Sequence, residues 1–118
     1  MTRVVLTAPA GATIAEAASL MAQRQVGSAL IVDGRRLLGI FTERDIVKAL
    51  SQDAAATSQA IGGWMTRRPQ TISPEASVEE ALQRMVNGGF RHLPVVEDGT
   101  LVGMLSMRDI SRTRVSSE

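Results

Sequence analysis

The chain has 118 residues, of which 44% are hydrophobic and 21% charged, and a formal net charge of +1. This composition is typical of a folded protein with an aliphatic core, and the balanced charge argues against a broad nucleic-acid-binding field. The sequence has no cysteine and one histidine, which excludes disulfides and a cysteine nucleophile and argues against a zinc site built by the protein.

The first predicted elements are a short strand at residues 4–6 and a helix that begins after Thr13. Thr13 and Glu16 have the spacing of a capping box, in which each side chain bonds the other residue's backbone amide. Apolar residues then recur at helical spacing as far as Arg24, where we expect the helix to end.

A β-hairpin and a second helix are predicted next. Two short apolar runs, residues 29–32 and 37–41, are separated by Asp33-Gly34, and this pattern is a strong hairpin signal. A helix is expected from Glu43 to about Leu50. The predicted order is therefore β-α-β-β-α.

The same order is repeated 64 residues later, because residues 7–46 align without a gap to residues 71–110. One hairpin with two helices cannot cover its own apolar face, so we expect two units packed sheet to sheet. The second copy comprises a strand near 71–72, a helix opened by Ser77-x-x-Glu80 and closed by a left-handed glycine at Gly88-Gly89, a hairpin of 93–96 and 101–105 around Asp98-Gly99, and a helix from Met107.

The expected domain organisation is one integrated α+β module. Repeat 1 is assigned to residues 1–55, a linker to 56–69 and repeat 2 to 70–118. Residues 51–63 are rich in Ala, Ser, Gln and Gly, which favours an exposed connector, and Trp64-Met65 is expected to pack the linker down.

A polar motif stands at the end of each hairpin, where a hydroxyl, an arginine and a carboxylate fall within four positions. We call these the corner motifs: Thr42, Arg44 and Asp45 in the first copy, and Ser106, Arg108 and Asp109 in the second. A carboxylate can accept from both ribose hydroxyls, while an arginine at a helix N-terminus can bind phosphate. The same spacing also forms a helix cap with Asp in place of Glu, and many such caps bind no ligand. Both interpretations are open at this point.

Four motifs in order resemble the cystathionine-β-synthase (CBS) domain, whose tandem form is often called a Bateman module. Because they fall in both repeats, the resemblance extends over nearly the whole chain. They are Gly39-x-x-Thr42-x-Arg44-Asp45-Ile46, Trp64-Met65-Thr66-Arg67-x-Pro69-x-Thr71-Ile72, Phe90-Arg91-His92-Leu93-Pro94-Val95-Val96 and Gly103-x-x-Ser106-x-Arg108-Asp109-Ile110. The resemblance implies two β-α-β-β-α repeats with pseudo-twofold symmetry and two clefts, often dimerised into a flat disc of four repeats.

The resemblance further implies regulatory binding of an adenosyl ligand. AMP, ADP or ATP is expected first, and S-adenosylmethionine is a further candidate, although the sequence indicates no acidic or apolar patch for its sulfonium. No cofactor is expected. The corner motifs are the main candidate ligand-binding residues.

Arg91 and His92 are additional candidates, because in similar proteins a basic residue there reaches phosphate in the cleft whose ribose acid comes from the other repeat. Repeat 1 has Gly27 and Ser28 at the matched positions. We therefore expect the Asp45 cleft to bind a phosphorylated nucleotide more tightly than the Asp109 cleft does. The alternatives are a half-buried histidine bonded to backbone and an exposed arginine at a strand end.

For the remaining candidate residues, an ordinary structural explanation competes with a functional one. Family members sometimes place a hydroxyl on the ligand at Thr7 and Thr71, but threonine is also simply β-favouring. The pairs Arg35-Arg36 and Arg67-Arg68 are interpreted as solvated charges, so a nucleic-acid role would rest on scattered arginines alone.

The expected function is that of a stand-alone regulatory module, an energy sensor, which binds an adenine nucleotide in the inter-repeat cleft and signals to a protein that the sequence does not identify. We expect a cytoplasmic homodimer with no nucleic-acid or membrane partner, because no signal-like or membrane-spanning segment is seen. The alternative is a ligand-free dimerisation or interaction module. An enzyme is not expected, since no metal cluster, paired acids or Ser-His-Asp set is present.

Overall fold

The computed structural model describes residues 5–108 and 110, and it divides into two compact units, residues 5–69 and the part of the chain from Gln70 onward. Both units mix helices with β-strands, as the repeat predicts. The expected linker, residues 56–69, lies within the first unit.

In the first unit the strands form one sheet in the order β1-β2-β3-β4, with β1 parallel to β2 and the other neighbours antiparallel. The predicted hairpin and both helices are confirmed, and the second helix extends two residues further than expected. The elements are β1 Thr7–Ala8, α1 Ile14–Arg24, β2 Ser28–Asp33, β3 Arg36–Thr42, α2 Glu43–Gln52 and β4 Thr66–Arg67.

Helix α1 begins and ends where the sequence predicts. Thr13 Oγ1 accepts from the amide of Glu16 at 3.1 Å, and Glu16 Oε1 accepts from the amide of Thr13 at 3.3 Å. The left-handed residue after the helix is Gln25, with φ of 56°, rather than a glycine. Of the strand expected at residues 4–6, residue 4 lies outside the described residues and residues 5–6 are not in a strand, because it is Thr7 and Ala8 that pair with β2.

The expectation of an exposed connector at residues 51–63 is wrong in part. Two 3₁₀ turns, Ala56–Ser58 and Ile61–Gly63, place Ala56 and Ile61 fully inside the first core. The backbone is fixed by the Ile61 amide, which donates to the Ala12 carbonyl at 2.8 Å. Trp64 and Met65 pack against this core as predicted.

Strand β4 was not foreseen, and it depends on a glycine in β3. Arg67 is opposite Gly39 and Thr66 is opposite Ile40. A Cβ on Gly39 would lie 2.6 Å from Met65 Sδ and 2.7 Å from the Thr66 carbonyl oxygen. Only glycine lets the linker approach β3 this closely.

The second unit contains α3 Val78–Gly88, β5 His92–Glu97 and β6 Thr100–Ser106, and Ile72 makes a parallel bridge to Val95. Gly89, with φ of 72°, supplies the predicted left-handed cap. Residues 107, 108 and 110 are helical, so the predicted start of a final helix at Met107 is confirmed.

The two hairpins match in turn length, in the conformation of the first turn residue and in the position of a register shift. Each joins its strands through two residues, and the first of them has a positive φ, 63° at Gly34 and 51° at Asp98. Each also shifts register at the same point, between Ile31 and Val32 in one and between Val95 and Val96 in the other. The repeat seen in the sequence is therefore a repeat of backbone geometry.

Candidate functional site: the strand-to-helix corners

The corner of the first unit is the junction of β3 and α2. Thr42 ends the strand in an extended conformation, with φ of −128° and ψ of 171°, and Glu43 begins the helix. The Glu43 amide donates to the Gly27 carbonyl at 3.1 Å, which ties the start of α2 to the start of the hairpin. Residues 27–28 and 42–45 are thus held together as one local structure.

Asp45 is held by Thr42, as the cap interpretation predicts. Its Oδ2 accepts from the Thr42 amide at 2.9 Å and from the Thr42 hydroxyl at 3.4 Å. Within the described part of the chain, both hydrogen bonds to the Asp45 carboxylate end on Oδ2. Its other oxygen, Oδ1, can therefore accept from a ligand. The side chain is half-buried, while Arg44 next to it is exposed. The cap and a ligand-binding role are therefore compatible at this carboxylate.

The corner of the second unit has the same backbone connection. The Met107 amide donates to the Arg91 carbonyl at 2.9 Å, and His92 is the β-ladder partner of Ser106. His92 and Ser106 are half-buried and each has an interaction partner, whereas Arg91 and Arg108 are exposed. Asp109, the carboxylate of this corner motif, lies outside the described residues.

The two candidate threonines lie beside the corners rather than within them. Thr7 pairs with Leu30, two residues along β2 from Ser28, the partner of Thr42. Two strand residues span about 6.6 Å, which separates Thr7 from the corner by that distance along the sheet. Thr7 is exposed and Thr71 is half-buried.

A pocket of about 560 Å³ lies in the second unit, and Thr71 is the only predicted site residue among its lining. Arg84 donates to the Thr71 carbonyl at 2.8 Å and pairs with Glu80 at 3.2 Å. Glu75 and Asp98 also line the pocket, so carboxylates outnumber cations in it.

Sequence reasoning did not identify this pocket. The i,i+4 spacing of Glu80 and Arg84 could have indicated their ion pair. The pocket itself depends on where the hairpin turn at Asp98 lies relative to α3. No local sequence pattern specifies this position. The pocket supplies the acidic surface that the sequence did not indicate.

Two features are absent from the described residues. No cluster of three or more His, Cys, Asp or Glu side chains suited to a metal ion occurs among the residues that the structure describes. Within that same part of the chain, no helix is both long enough and apolar enough to cross a membrane.

With this geometry in place, comparison with known proteins assigns the family. The family model for the CBS domain matches residues 1–52 and 60–116. This chain belongs to the CBS domain family. Its two matches show a tandem pair of CBS domains, which confirms the resemblance found in the four sequence motifs and the mixed α+β fold.

Relatives with solved structures cover nearly the whole chain. The CBS domain pair of protein MJ0100, solved in complex with 5-methylthioadenosine and S-adenosyl-L-methionine, has a TM-score of 0.92 and 30% identity, covering 100% of this chain and 94% of that one. The CBS domain protein PAE2072 from Pyrobaculum aerophilum, complexed with AMP, has a TM-score of 0.87 and 28% identity, covering 100% and 95%.

Curated relatives are similar in sequence but differ in length. An uncharacterized 17.7 kDa protein of Acidianus ambivalens is 40% identical over 113 residues, which is 94% of this chain and 67% of that protein. Five CBS domain-containing proteins of Arabidopsis thaliana also match, but this chain spans only 19% of their length.

Proposed function

We propose that this chain is a regulatory CBS pair that binds an adenosyl ligand with its corner motifs and signals the ligand's level to a partner protein. The observation that carries the proposal is the similarity, over the full chain, to two CBS proteins solved with adenosyl ligands. The AMP and S-adenosyl-L-methionine complexes belong to those proteins. For this chain they support the adenosyl class, because that moiety is common to their ligands.

The corner geometry gives a physical basis for recognition. The Thr42 bonds hold the Asp45 carboxylate in one orientation, so little rotamer freedom would be lost when ribose hydroxyls donate to Oδ1. Arg44 stands in the first turn of α2, exposed and able to contact phosphate at the helix N-terminus. Ser106, Arg108 and Asp109 are proposed to act in the same way in the second copy.

Two charge patterns favour different members of the adenosyl class. The exposed Arg44, Arg91 and Arg108 suit the phosphates of AMP, ADP or ATP. The pocket beside Thr71, lined by Glu75, Glu80 and Asp98, suits the sulfonium and ammonium groups of S-adenosylmethionine. It is an open surface depression of about 560 Å³.

Ligand-induced stabilisation of the purified, nucleotide-stripped chain tests the proposal. AMP, ADP, ATP, S-adenosylmethionine and GTP are compared by thermal shift, and hits are measured by calorimetry. A ligand present at 100 times its Kd stabilises the fold by about 2.7 kcal/mol, which raises Tm by several degrees. A rise with adenosyl ligands but not with GTP supports the proposal, and no rise with any of them overturns it.

A matched pair of cap variants separates binding from capping. Asp45→Ala and Glu16→Ala each remove a carboxylate that bonds the amide and hydroxyl of an N-cap threonine, at the starts of α2 and α1 respectively. Each should lower the free energy of unfolding by about 1 kcal/mol. Only Asp45→Ala should weaken adenosyl binding, by about tenfold or more. Equal affinities in the two variants would leave Asp45 as a cap alone.

Catalysis is not part of the proposal. The family is generally regulatory. Incubation with ATP should therefore yield no ADP or AMP. Turnover abolished by Asp45→Ala would contradict this.

A ligand-free association module is the second candidate, and exposed apolar side chains on the helices favour it. Val47 on α2 is 67% exposed and Val86 on α3 is 63% exposed. Large apolar residues this accessible are typical of an association surface when they are grouped. Homodimerisation through these helices predicts a dimer mass by light scattering that Val47→Glu and Val86→Glu convert to monomer. A monomer in the unmodified chain would remove this candidate.

A further inference from the structure

The fold brings together two arginine pairs that are far apart in the sequence. Arg35 and Arg36 lie in the first hairpin turn and at the start of β3, while Arg67 and Arg68 lie at and just after β4. Because β4 runs antiparallel to β3, the chain beyond Arg67 proceeds toward the start of β3. All four arginines therefore stand at the same end of the first sheet, and we call them the arginine edge.

The backbone contacts place these residues close to one another. Arg67 is opposite Gly39, and the Arg68 amide donates to the Leu38 carbonyl at 3.4 Å. Arg36 is two residues before Leu38 on the same strand. Strand spacing and rise then separate the Cα atoms of Arg36 and Arg68 by about 8 Å. Side chains as long as arginine can reach a common ligand over this distance.

The arginine edge carries concentrated and unpaired charge. All four arginines are exposed, and none of them forms an ion pair with another described residue. One carboxylate, Asp33, lies opposite Arg36. The local net charge is thus +3 in a chain whose total is +1.

We propose that the arginine edge binds the phosphodiester backbone of a nucleic acid strand without reading its sequence. Guanidinium groups match phosphate oxygens bidentately, and counterion release drives such binding. A protein partner is less suited to this surface, because its exposed residues are charged or belong to the turn, and protein interfaces rely on apolar or aromatic anchors. This revises the expectation that the arginines are scattered charges.

The salt dependence of oligonucleotide binding tests the proposal quantitatively. Anisotropy of a short labelled oligothymidylate is measured from low to moderate salt, with the intact chain. Four phosphate contacts give a slope of log K against log salt of about −2.8 for a single strand. Each double variant, Arg35→Ala with Arg36→Ala or Arg67→Ala with Arg68→Ala, should reduce the slope to about −1.4.

Arg24→Ala is the matched control, since Arg24 is an exposed arginine at the end of α1, at the opposite end of the hairpin from the turn. This variant should leave the slope unchanged, and thermal melts verify the fold of each variant. An equal effect of Arg24→Ala would show diffuse attraction and overturn the assignment.

Two other results would also overturn it. If polyglutamate displaces the oligonucleotide as well as inorganic polyphosphate does, the edge recognises carboxylates instead of phosphates. If no binding occurs at low salt, the arginines only protect the exposed edge of β4 from pairing with another chain. A duplex of the same length is measured beside the single strand to compare the two forms of nucleic acid. Four contacts on B-DNA give a steeper slope of log K against log salt, about −3.6. The adenosyl thermal shift is independent of all these results.

Discussion

The tips of the two hairpins have the same length and opposite charge. The first unit has Arg35-Arg36 where the second has Gly99-Thr100, and Asp98 stands where the first has Gly34. The first tip contributes to the arginine edge, and the second contributes Asp98 to the acidic pocket. Duplicated geometry therefore does not imply a duplicated surface, because solvent-exposed turn positions are constrained by φ rather than by side-chain chemistry.

The interiors differ as well. The first core is closed by Ala56, Ile61, Trp64 and Met65 from the segment after α2, and β4 extends its sheet. In the described part of the second unit the sheet has two strands, β5 and β6, and Ile72 makes a single bridge to β5. Four predictions test how far the two units differ, ordered from the largest expected effect to the smallest.

Truncation of the central core side chains should have the largest effect. Phe41 in the first unit and Leu93 in the second are fully buried. Phe41→Ala should lower the free energy of unfolding by about 4 kcal/mol, and Leu93→Ala by about 3 kcal/mol, because each leaves a cavity. Urea unfolding measures both. Gln23→Ala is the control and should change stability by less than about 0.5 kcal/mol, since Gln23 is exposed on α1.

Substitution of Gly39 should disrupt the strand that distinguishes the first sheet. Gly39→Ala places a methyl against Met65 Sδ and the Thr66 carbonyl, and this should destabilise the protein by about 2 kcal/mol. Gly11→Ala is the control, because nothing lies within 4 Å of the added Cβ. Equal melting temperatures for the two variants would show that β4 moves aside without cost.

The phosphate preference of the corners should depend on Arg91. Arg91→Ala should weaken ADP binding about tenfold, or about 1.4 kcal/mol, and leave adenosine binding unchanged, because the guanidinium is expected to contact phosphate. Asp45→Ala should weaken ADP binding more than Asp109→Ala does. Calorimetry measures each affinity, and equal losses for the two aspartates would refute the predicted asymmetry.

Exchange of the helix C-caps should have the smallest effect, and its sign should differ between units. Gln25 and Gly89 both adopt left-handed backbone, with φ of 56° and 72°. Gln25→Gly should stabilise the protein by about 1 kcal/mol, and Gly89→Gln should destabilise it by a similar amount, because a Cβ is strained in that conformation. Changes of the same sign in the two thermal melts would contradict this explanation.

Much of each unit could be predicted because its signals are local. Capping residues, helical spacing and Asp-Gly turns act within a few positions, so Thr13, Thr42 and Ser77 mark helix starts that the structure confirms. The left-handed conformation after α1 falls on Gln25, since tertiary packing can hold this residue in a conformation that local propensity assigns to glycine.

The sequence by itself determined the repeat, the element order and the corner motifs, because these follow from spacing along the chain. Only the tertiary structure decided that Ile61 is buried, that β4 pairs with β3, and that Arg68 lies near Arg36. Those features depend on contacts between segments about thirty or more residues apart. Their stability comes from packing and close backbone approach, which no periodic pattern records.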